Sequence, residues 1–333
     1  MTKNLQFAVL GGGSWATAIA KMLLENLDQI TWYMRNSEAV AYIRSQKHNP
    51  NYLTSVEFKT EQLYLTDSIN EAVERADILI FAIPSAFLVS ELEKLKTSIK
   101  DKIIFSAIKG IVPETGLIVG EHFHNTYGIP FENIGVITGP CHAEEVALER
   151  LSYLTIACAD IDKAKFIAKR LESDYIRTKV SKDIIGTEYA GMLKNIYAIA
   201  AGIAHGLGYG DNFQSVLMSN AIREMKRFTK RIYKIDRNIN DSAYLGDLLV
   251  TGYSIFSRNR MFGSMLGKGY TVKSAMMEMK MVAEGYYAVK GVHELKGKFK
   301  KKVKTPIIDA VYAILYAGES PKKVFAKLTE KLD

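Results

Sequence analysis

Phe7-Ala8-Val9-Leu10-Gly11-Gly12-Gly13-Ser14-Trp15-Ala16 runs from four apolar residues through three glycines into a segment with helical spacing. The apolar run has the length of a buried strand and lacks polar alternation, as parallel strands covered on both faces do. Gly11 and Gly13 occupy the first two glycine positions of G-x-G-x-x-G, and Ala16 the third. The first glycine permits a tight turn, the second lets backbone approach a pyrophosphate, and a small third residue lets the helix pack closely on the strand. A helix starting at the loop would turn free N–H groups and partial positive charge toward phosphates. This strand–loop–helix context predicts a dinucleotide-binding βαβ unit; the alternative is a bare strand-to-helix turn with no ligand.

The pattern repeats along the chain. Ile30-Thr31-Trp32-Tyr33, Ile78 to Ile83, Ile103-Ile104-Phe105 and Ile134-Gly135-Val136-Ile137 read as further buried strands, with crossover helices such as Ser14 to Asn26 and Ser85 to Ser98 between them. Tyr153 to Cys158 and Tyr175 to Thr178 extend the sheet. After about Ser181 no strand pattern remains, and Ile184 to Gly206 is helical and rich in small residues that permit close helix contact. The expected fold class is α/β: a Rossmann-like doubly wound sheet over residues 1–180, then an all-α domain over 181–333.

Composition limits the function classes. At 333 residues and 48% hydrophobic content the chain can bury a large core and split into two domains. No apolar run reaches the roughly 18 residues of a membrane span, and the start, Met1-Thr2-Lys3-Asn4-Leu5-Gln6, lacks a secretory apolar region. A cytoplasmic protein is expected. Two cysteines, Cys141 and Cys158, are too few for a disulfide framework and lack zinc-site spacing. His122 and His124 would share a face on a strand, but no further ligands support a metal site. The net charge of +8 comes without an aromatic-interleaved recognition motif, so a small anionic partner is expected and a nucleic acid is not. The basic run Lys296 to Lys304 reads as solvated surface.

The end of the second strand discriminates between cofactors. An Asp or Glu there would bind the ribose 2′-hydroxyl of NAD, whereas this chain has Tyr33-Met34-Arg35. A guanidinium can pair with a 2′-phosphate. The reading therefore favours NADP over NAD, or use of both.

Five further stretches follow in order: Ser106-Ala107-Ile108-Lys109-Gly110, Gly139-Pro140-Cys141-His142-Ala143, Glu188 to Asn195 with Lys194, Leu245-Gly246-Asp247-Leu248, and Ser257-Arg258-Asn259-Arg260. With the glycine loop they resemble, in order and spacing, the bacterial NAD(P)-dependent glycerol-3-phosphate dehydrogenase family over nearly the whole chain. The resemblance implies reversible hydride transfer between sn-glycerol 3-phosphate and dihydroxyacetone phosphate, supplying glycerol 3-phosphate for phospholipid synthesis. It implies Lys194 as general acid/base, with Lys109 and Asp247 completing the reacting centre. It implies Gly139, Cys141, Ser257, Arg258 and Asn259, beside those three, as substrate-binding residues. Ser14, Trp15, Arg35, Lys109, Ala143, Arg258, Val282 and Glu284 are implied as cofactor-binding residues, and a homodimer is left open.

The chemistry of the residue types fits those roles. Hydride reduction of a ketone leaves an alkoxide, which needs a proton donor within hydrogen-bond reach. A lysine serves only if burial or a neighbouring cation pulls its pKa down from about 10.4. Lys109 is such a cation, and Lys194 sits among small apolar residues. Ser257-Arg258-Asn259 offers a hydroxyl, a guanidinium fork and a carboxamide for a phosphate, while helix capping by Ser257 is the structural alternative. The sequence departs from the family's Ser-Phe after Gly-Pro, with Cys141-His142 in its place, and a thiol donates more weakly than a hydroxyl. The methionine-rich stretch Met276 to Met281 reads as core or interface packing. Two other functions compete: a related lysine dehydrogenase acting on another hydroxy acid or phosphorylated sugar acid, and a dinucleotide-binding regulator without catalysis. The second has no need of Lys109, Lys194 and Asp247 together.

Overall fold

The computed structural model describes residues 5–279 and 283–333. Two compact units divide the chain: one holds the residues up to Ile108 with Leu117–Ile184, the other Lys109–Gly116 with Ile185–Asp333.

The first unit is built on an eight-stranded sheet of β1 (Phe7–Leu10), β2 (Ile30–Tyr33), β3 (Leu63–Thr66), β4 (Ile78–Phe81), β5 (Ile103–Ser106), β8 (Ile134–Thr138), β9 (Ser152–Cys158) and β10 (Ile176–Ser181). Two short strands outside it, β6 (Ile111–Val112) and β7 (Leu117–Ile118), complete the numbering. The strand order is β3-β2-β1-β4-β5-β8-β9-β10, parallel except between β8 and β9. The order reverses beside β1, the switch point outside which ligands bind in doubly wound sheets. Every residue of β1, β2 and β4 is buried, as the unbroken apolar runs require.

The helices of this unit are α1 (Ser14–Leu24), α2 (Ser37–Gln46), α3 (Ile69–Arg75), α4 (Ser85–Leu92), α5 (Val119–Tyr127), α6 (Ala143–Ala147) and α7 (Ile161–Leu171). Helix α4 stops six residues short of the expected Ser98. Asn70 takes over the backbone there, donating to the Lys94 carbonyl and accepting from the Lys96 and Thr97 amides. Strand β3 is absent from the sequence reading: it is an edge strand of four residues with a half-exposed Tyr64, too short and too mixed to show a period. His122 and His124 lie on α5, so the shared strand face does not exist; residues two apart on a helix point in different directions.

The second unit carries α8 (Ile184–Gly206), α9 (Asp211–Ile232), α10 (Asp247–Tyr253), α11 (Arg258–Gly267), α12 (Val272–Glu278), α13 (Glu284–Gly297), α14 (Pro306–Leu315) and α15 (Pro321–Thr329). Helix α8 is apolar nearly all round and buried along most of its length. It crosses α11 backbone to backbone. A Cβ on Gly202 would stand 2.0 Å from the Arg260 carbonyl oxygen, one on Gly206 2.3 Å from that of Ser264, one on Gly263 2.1 Å from that of Ile199, and one on Gly267 2.4 Å from that of Ile203. Helix α13 joins them in the same way, since a Cβ on Gly285 would lie 2.7 Å from the Asn195 carbonyl oxygen. Met276 and Met277 are exposed, so core packing does not account for them. Among the described residues no helix is long and apolar enough to cross a membrane.

Candidate active site

The glycine packing fixes where the polar residues of the second unit stand. Lys194 lies mid-way along α8 and is 5% exposed; Asp247, 1% exposed, opens α10 directly after a π-helical turn over Ser242–Gly246. π-turns are frequent at functional positions because they re-aim the residues that follow. The Lys194 Nζ donates to Asp247 Oδ1, and Lys109 Nζ stands 3.5 Å from Asp247 Oδ2. One carboxylate thus holds two ammonium groups.

Burial pulls the Lys194 pKa down, and the neighbouring Lys109 charge adds to the fall, while the Asp247 carboxylate opposes both; the net position is about 7. Lys109 arrives on the segment Lys109–Gly116, which packs with the second unit although it lies in the first half of the chain. Asn195, next to the central lysine and 5% exposed, donates to the Lys109 carbonyl at 2.9 Å and ties that segment to α8. No motif marks Asn195 for this contact. Its burial, which the sequence does not reveal, is the missing signal.

Ser257, Arg258 and Asn259 sit at the start of α11. The Ser257 hydroxyl oxygen accepts from the Arg260 amide at 3.3 Å, so the capping alternative is realised. Capping uses only a lone pair of the hydroxyl oxygen, and the Ser257 O–H remains a donor. Asn259 accepts from the Gly285 amide at 2.9 Å, which links α11 to the start of α13 beside Glu284 and leaves the carboxamide NH2 as donor. Val282 lies outside the described residues.

In the first unit, Gly11, Gly13, Ser14 and Trp15 follow β1 and open α1, with Gly13 as the N-cap. Gly11 has φ +136°, and a Cβ there would stand 2.5 Å from the Ala82 carbonyl oxygen. A Cβ on Gly13 would meet nothing within 4 Å, which is the open cradle that a pyrophosphate on backbone N–H groups needs. Arg35, exposed after β2, lies over the Phe87 ring at 5.3 Å. Gly139, with φ +119°, brings backbone close to β9, and Cys141 and Ala143 beyond it are buried in the core that includes Ala16 of α1. Neither cysteine is in a disulfide, and burial pushes the Cys158 thiol up to about 11. Among the described residues no group of three His, Cys, Asp or Glu is placed to hold a metal ion.

A doubly wound sheet with a glycine loop at its switch point, followed by a helical unit with a buried lysine on a carboxylate, defines a dinucleotide-dependent dehydrogenase of the two-domain kind. Residues 6–164 match the N-terminus, and residues 183–326 the C-terminus, of NAD-dependent glycerol-3-phosphate dehydrogenase, and the chain belongs to that family. It is 36% identical to a glycerol-3-phosphate dehydrogenase [NAD(P)+] of Exiguobacterium over 97% of this chain and 95% of that protein. Its identity to the corresponding Corynebacterium jeikeium protein is 34%, over 97% of each. The crystal structure of glycerol-3-phosphate dehydrogenase from Coxiella burnetii superposes with a TM-score of 0.89 at 28% identity, covering 98% of this chain and 99% of that one. A D-mandelate dehydrogenase complexed with NADH, at 14% identity and a TM-score of 0.61, shares the fold alone.

Proposed function

We propose that the chain is an NAD(P)-dependent sn-glycerol-3-phosphate dehydrogenase in which Lys194 moves the proton. The observation that carries this reading is the buried Lys194 ammonium held on Asp247 with Lys109 on the other carboxylate oxygen. The dinucleotide, when bound, supplies a hydride to C2 of dihydroxyacetone phosphate, or takes one from glycerol 3-phosphate. Lys194 Nζ donates a proton to the C2 oxygen as its alkoxide forms, and the neutral amine takes the proton from the C2 hydroxyl in the reverse direction. A pKa near 7 lets the same group serve both directions. Asp247 orients the ammonium. Lys109 adds positive charge where the alkoxide develops, a form of stabilisation that is strongest in a buried site.

The start of α11 suits the substrate phosphate: the Ser257 O–H, the Arg258 guanidinium and the Asn259 NH2 are all donors, and they stand at the positive end of the helix. Gly139 and Cys141 complete the substrate set, with Cys141 serving through its backbone, since its thiol is a weak donor. The glycine loop, Ser14, Trp15, Arg35, Lys109, Ala143, Arg258, Val282 and Glu284 hold the dinucleotide, and Arg35 favours NADP. The product serves as the backbone of phospholipid synthesis in the cytoplasm, so cells lacking the protein should require supplied glycerol 3-phosphate.

Following NADPH and NADH oxidation with dihydroxyacetone phosphate tests the reaction. Lys194→Ala should lower kcat by about 10²- to 10⁴-fold with NADPH affinity retained. A wild-type protein inactive on dihydroxyacetone phosphate would remove the substrate, and an active Lys194→Ala would remove the role of the lysine.

A further inference from the structure

The three glycine carbonyls of the loop all turn into the protein. Gly11 O accepts from Trp32 Nε1 at 2.8 Å; Gly12 O accepts from Asn49 Nδ2 at 3.1 Å; Gly13 O accepts from the Thr17 amide and from Thr17 Oγ1, each at 3.0 Å. In a planar trans peptide the carbonyl of one residue and the N–H of the next point in opposite directions. Holding those three carbonyls inward therefore aims the N–H groups of Gly12, Gly13 and Ser14 outward, toward the open space beside Gly13.

Two of these anchors are part of the βαβ unit itself: Trp32 on β2 and Thr17 on α1. Asn49 is not. It lies in the connection after α2, is 1% exposed, and uses all of its hydrogen-bonding capacity there. Its NH2 donates to Gly12 O and, at 2.9 Å, to Thr17 Oγ1; its Oδ1 accepts from the Asn51 and Tyr52 amides at 3.0 and 3.2 Å. The last two bonds fix the side chain so that the first two have one direction only. Aspartate cannot donate to Gly12 O, and alanine does not reach it.

Helix α2 lies between Arg35 and Asn49. It begins two residues after Arg35, where Asn36 caps it by accepting from the Glu38 and Ala39 amides, and it ends at Gln46, three residues before Asn49. One helix thus joins the residue proposed for the 2′-phosphate to the residue that orients the loop.

We propose that Asn49 is a positioning residue for the dinucleotide: it sets the Gly12–Gly13 peptide so that the Gly13 N–H faces the pyrophosphate. The inference rests on the reading of the glycine loop as the pyrophosphate site. Isothermal titration of NADPH and of NADH into substrate-free protein tests it, with Asn49→Ala, Asn49→Asp and Thr17→Val beside wild type. Asn49→Ala should raise the Kd of both cofactors by the same factor of about ten, and Asn49→Asp by more. At saturating cofactor the kcat of Asn49→Ala and its KM for dihydroxyacetone phosphate should stay within about twofold of wild type, a split that a general loss of structure would not give. Thr17→Val removes one Asn49 partner but leaves the Thr17 amide on Gly13 O, so about a threefold weakening is expected.

NADPH binding by Asn49→Ala within twofold of wild type overturns the brace, as does a kcat that falls as far as the affinity. If Asn49→Ala does not fold, undiminished affinity in Thr17→Val overturns it instead. Wild-type protein that binds neither cofactor defeats the reading of the loop, and the proposal with it. An altered NADPH-to-NADH ratio in Asn49→Ala shows that the residue acts on the 2′-phosphate end, against the uniform effect argued here.

Discussion

Glycine does opposite work in the two units. Beside the loop, a Cβ on Gly13 would meet nothing within 4 Å; at the α8/α11 crossing, Cβ atoms on Gly202, Gly206, Gly263 and Gly267 would stand 2.0 to 2.4 Å from facing backbone oxygens. The first leaves room for something that is not protein. The others remove the room between two helices, and so set how far the start of α11 stands from Lys194. Under the proposed function both arrangements serve a site, one by approaching the dinucleotide and the other by placing the side chains that act on the substrate. Only the nearest neighbour of each glycine distinguishes them.

The crossing should be the more fragile. Gly263→Val puts a branched side chain into the Ile199 carbonyl and should cost about 3 kcal/mol or more, since neither backbone can move aside without unpacking α8. Urea unfolding measures it, and a midpoint unchanged from wild type would break the contrast. Gly13→Ala should do the reverse. Its φ of −83° suits any residue and nothing crowds the added methyl, so stability should stay within about 0.5 kcal/mol of wild type. The methyl then occupies the space that a pyrophosphate needs, and NADPH Kd should rise about tenfold, or about 1.4 kcal/mol. Isothermal titration and unfolding on the same variant separate the two effects.

The two regions also differ in how much of them the sequence discloses. The loop is legible because its residues are contiguous and its context, buried strand before and helix after, is local. The sheet follows for the same reason, except for the edge strand Leu63–Thr66, whose pairing depends on β2 and not on its own pattern. The small residues of α8 announce close contact but not the partner, because Gly263 and Gly267 lie some sixty residues on. The joining of Lys109 to Lys194 and Asp247 has no local signal: it depends on the Lys109–Gly116 segment packing with the helical unit, through the Asn195 bond. Those three residues are legible in the sequence through the family resemblance and through no local pattern. Asn49 is the converse, a residue with a defined buried contact and no motif to mark it.

Charge extends the contrast. In the helical unit two ammonium groups share one buried carboxylate, so removing either neighbour should move the titration of Lys194. Reduction of dihydroxyacetone phosphate needs the protonated amine and should fall as pH rises through about 7, while oxidation of glycerol 3-phosphate needs the neutral amine and should rise over the same range. Lys109→Met removes a cation that pushes the pKa down, so both limbs should move to higher pH, by about one unit or 1.4 kcal/mol. Asp247→Asn removes the charge that holds the pKa up and should move them lower. Profiles of kcat/KM against pH in both directions test the sign, and limbs that stay in place in Lys109→Met would remove that lysine from the centre.

In the sheet unit the corresponding cation is exposed, and its effect should be the smallest. Arg35 stands in water at the end of β2, over Phe87 and with no carboxylate in the usual place for a ribose hydroxyl. A surface pair contributes little, because solvent screens it and the long side chain loses freedom. A 2′-phosphate gains more than a simple ion pair because a guanidinium can grip it with two N–H groups, and the ring beneath limits where that fork can go. These opposing effects set the expectation for Arg35→Ala at about 1 kcal/mol, a roughly fivefold rise in KM for NADPH with KM for NADH unchanged. Phe87→Ala, which frees the guanidinium without removing it, should fall between. A cofactor preference unaltered in Arg35→Ala would leave this arginine an ordinary surface residue, and the choice between NADP and NAD would then rest with other residues of the loop and sheet edge.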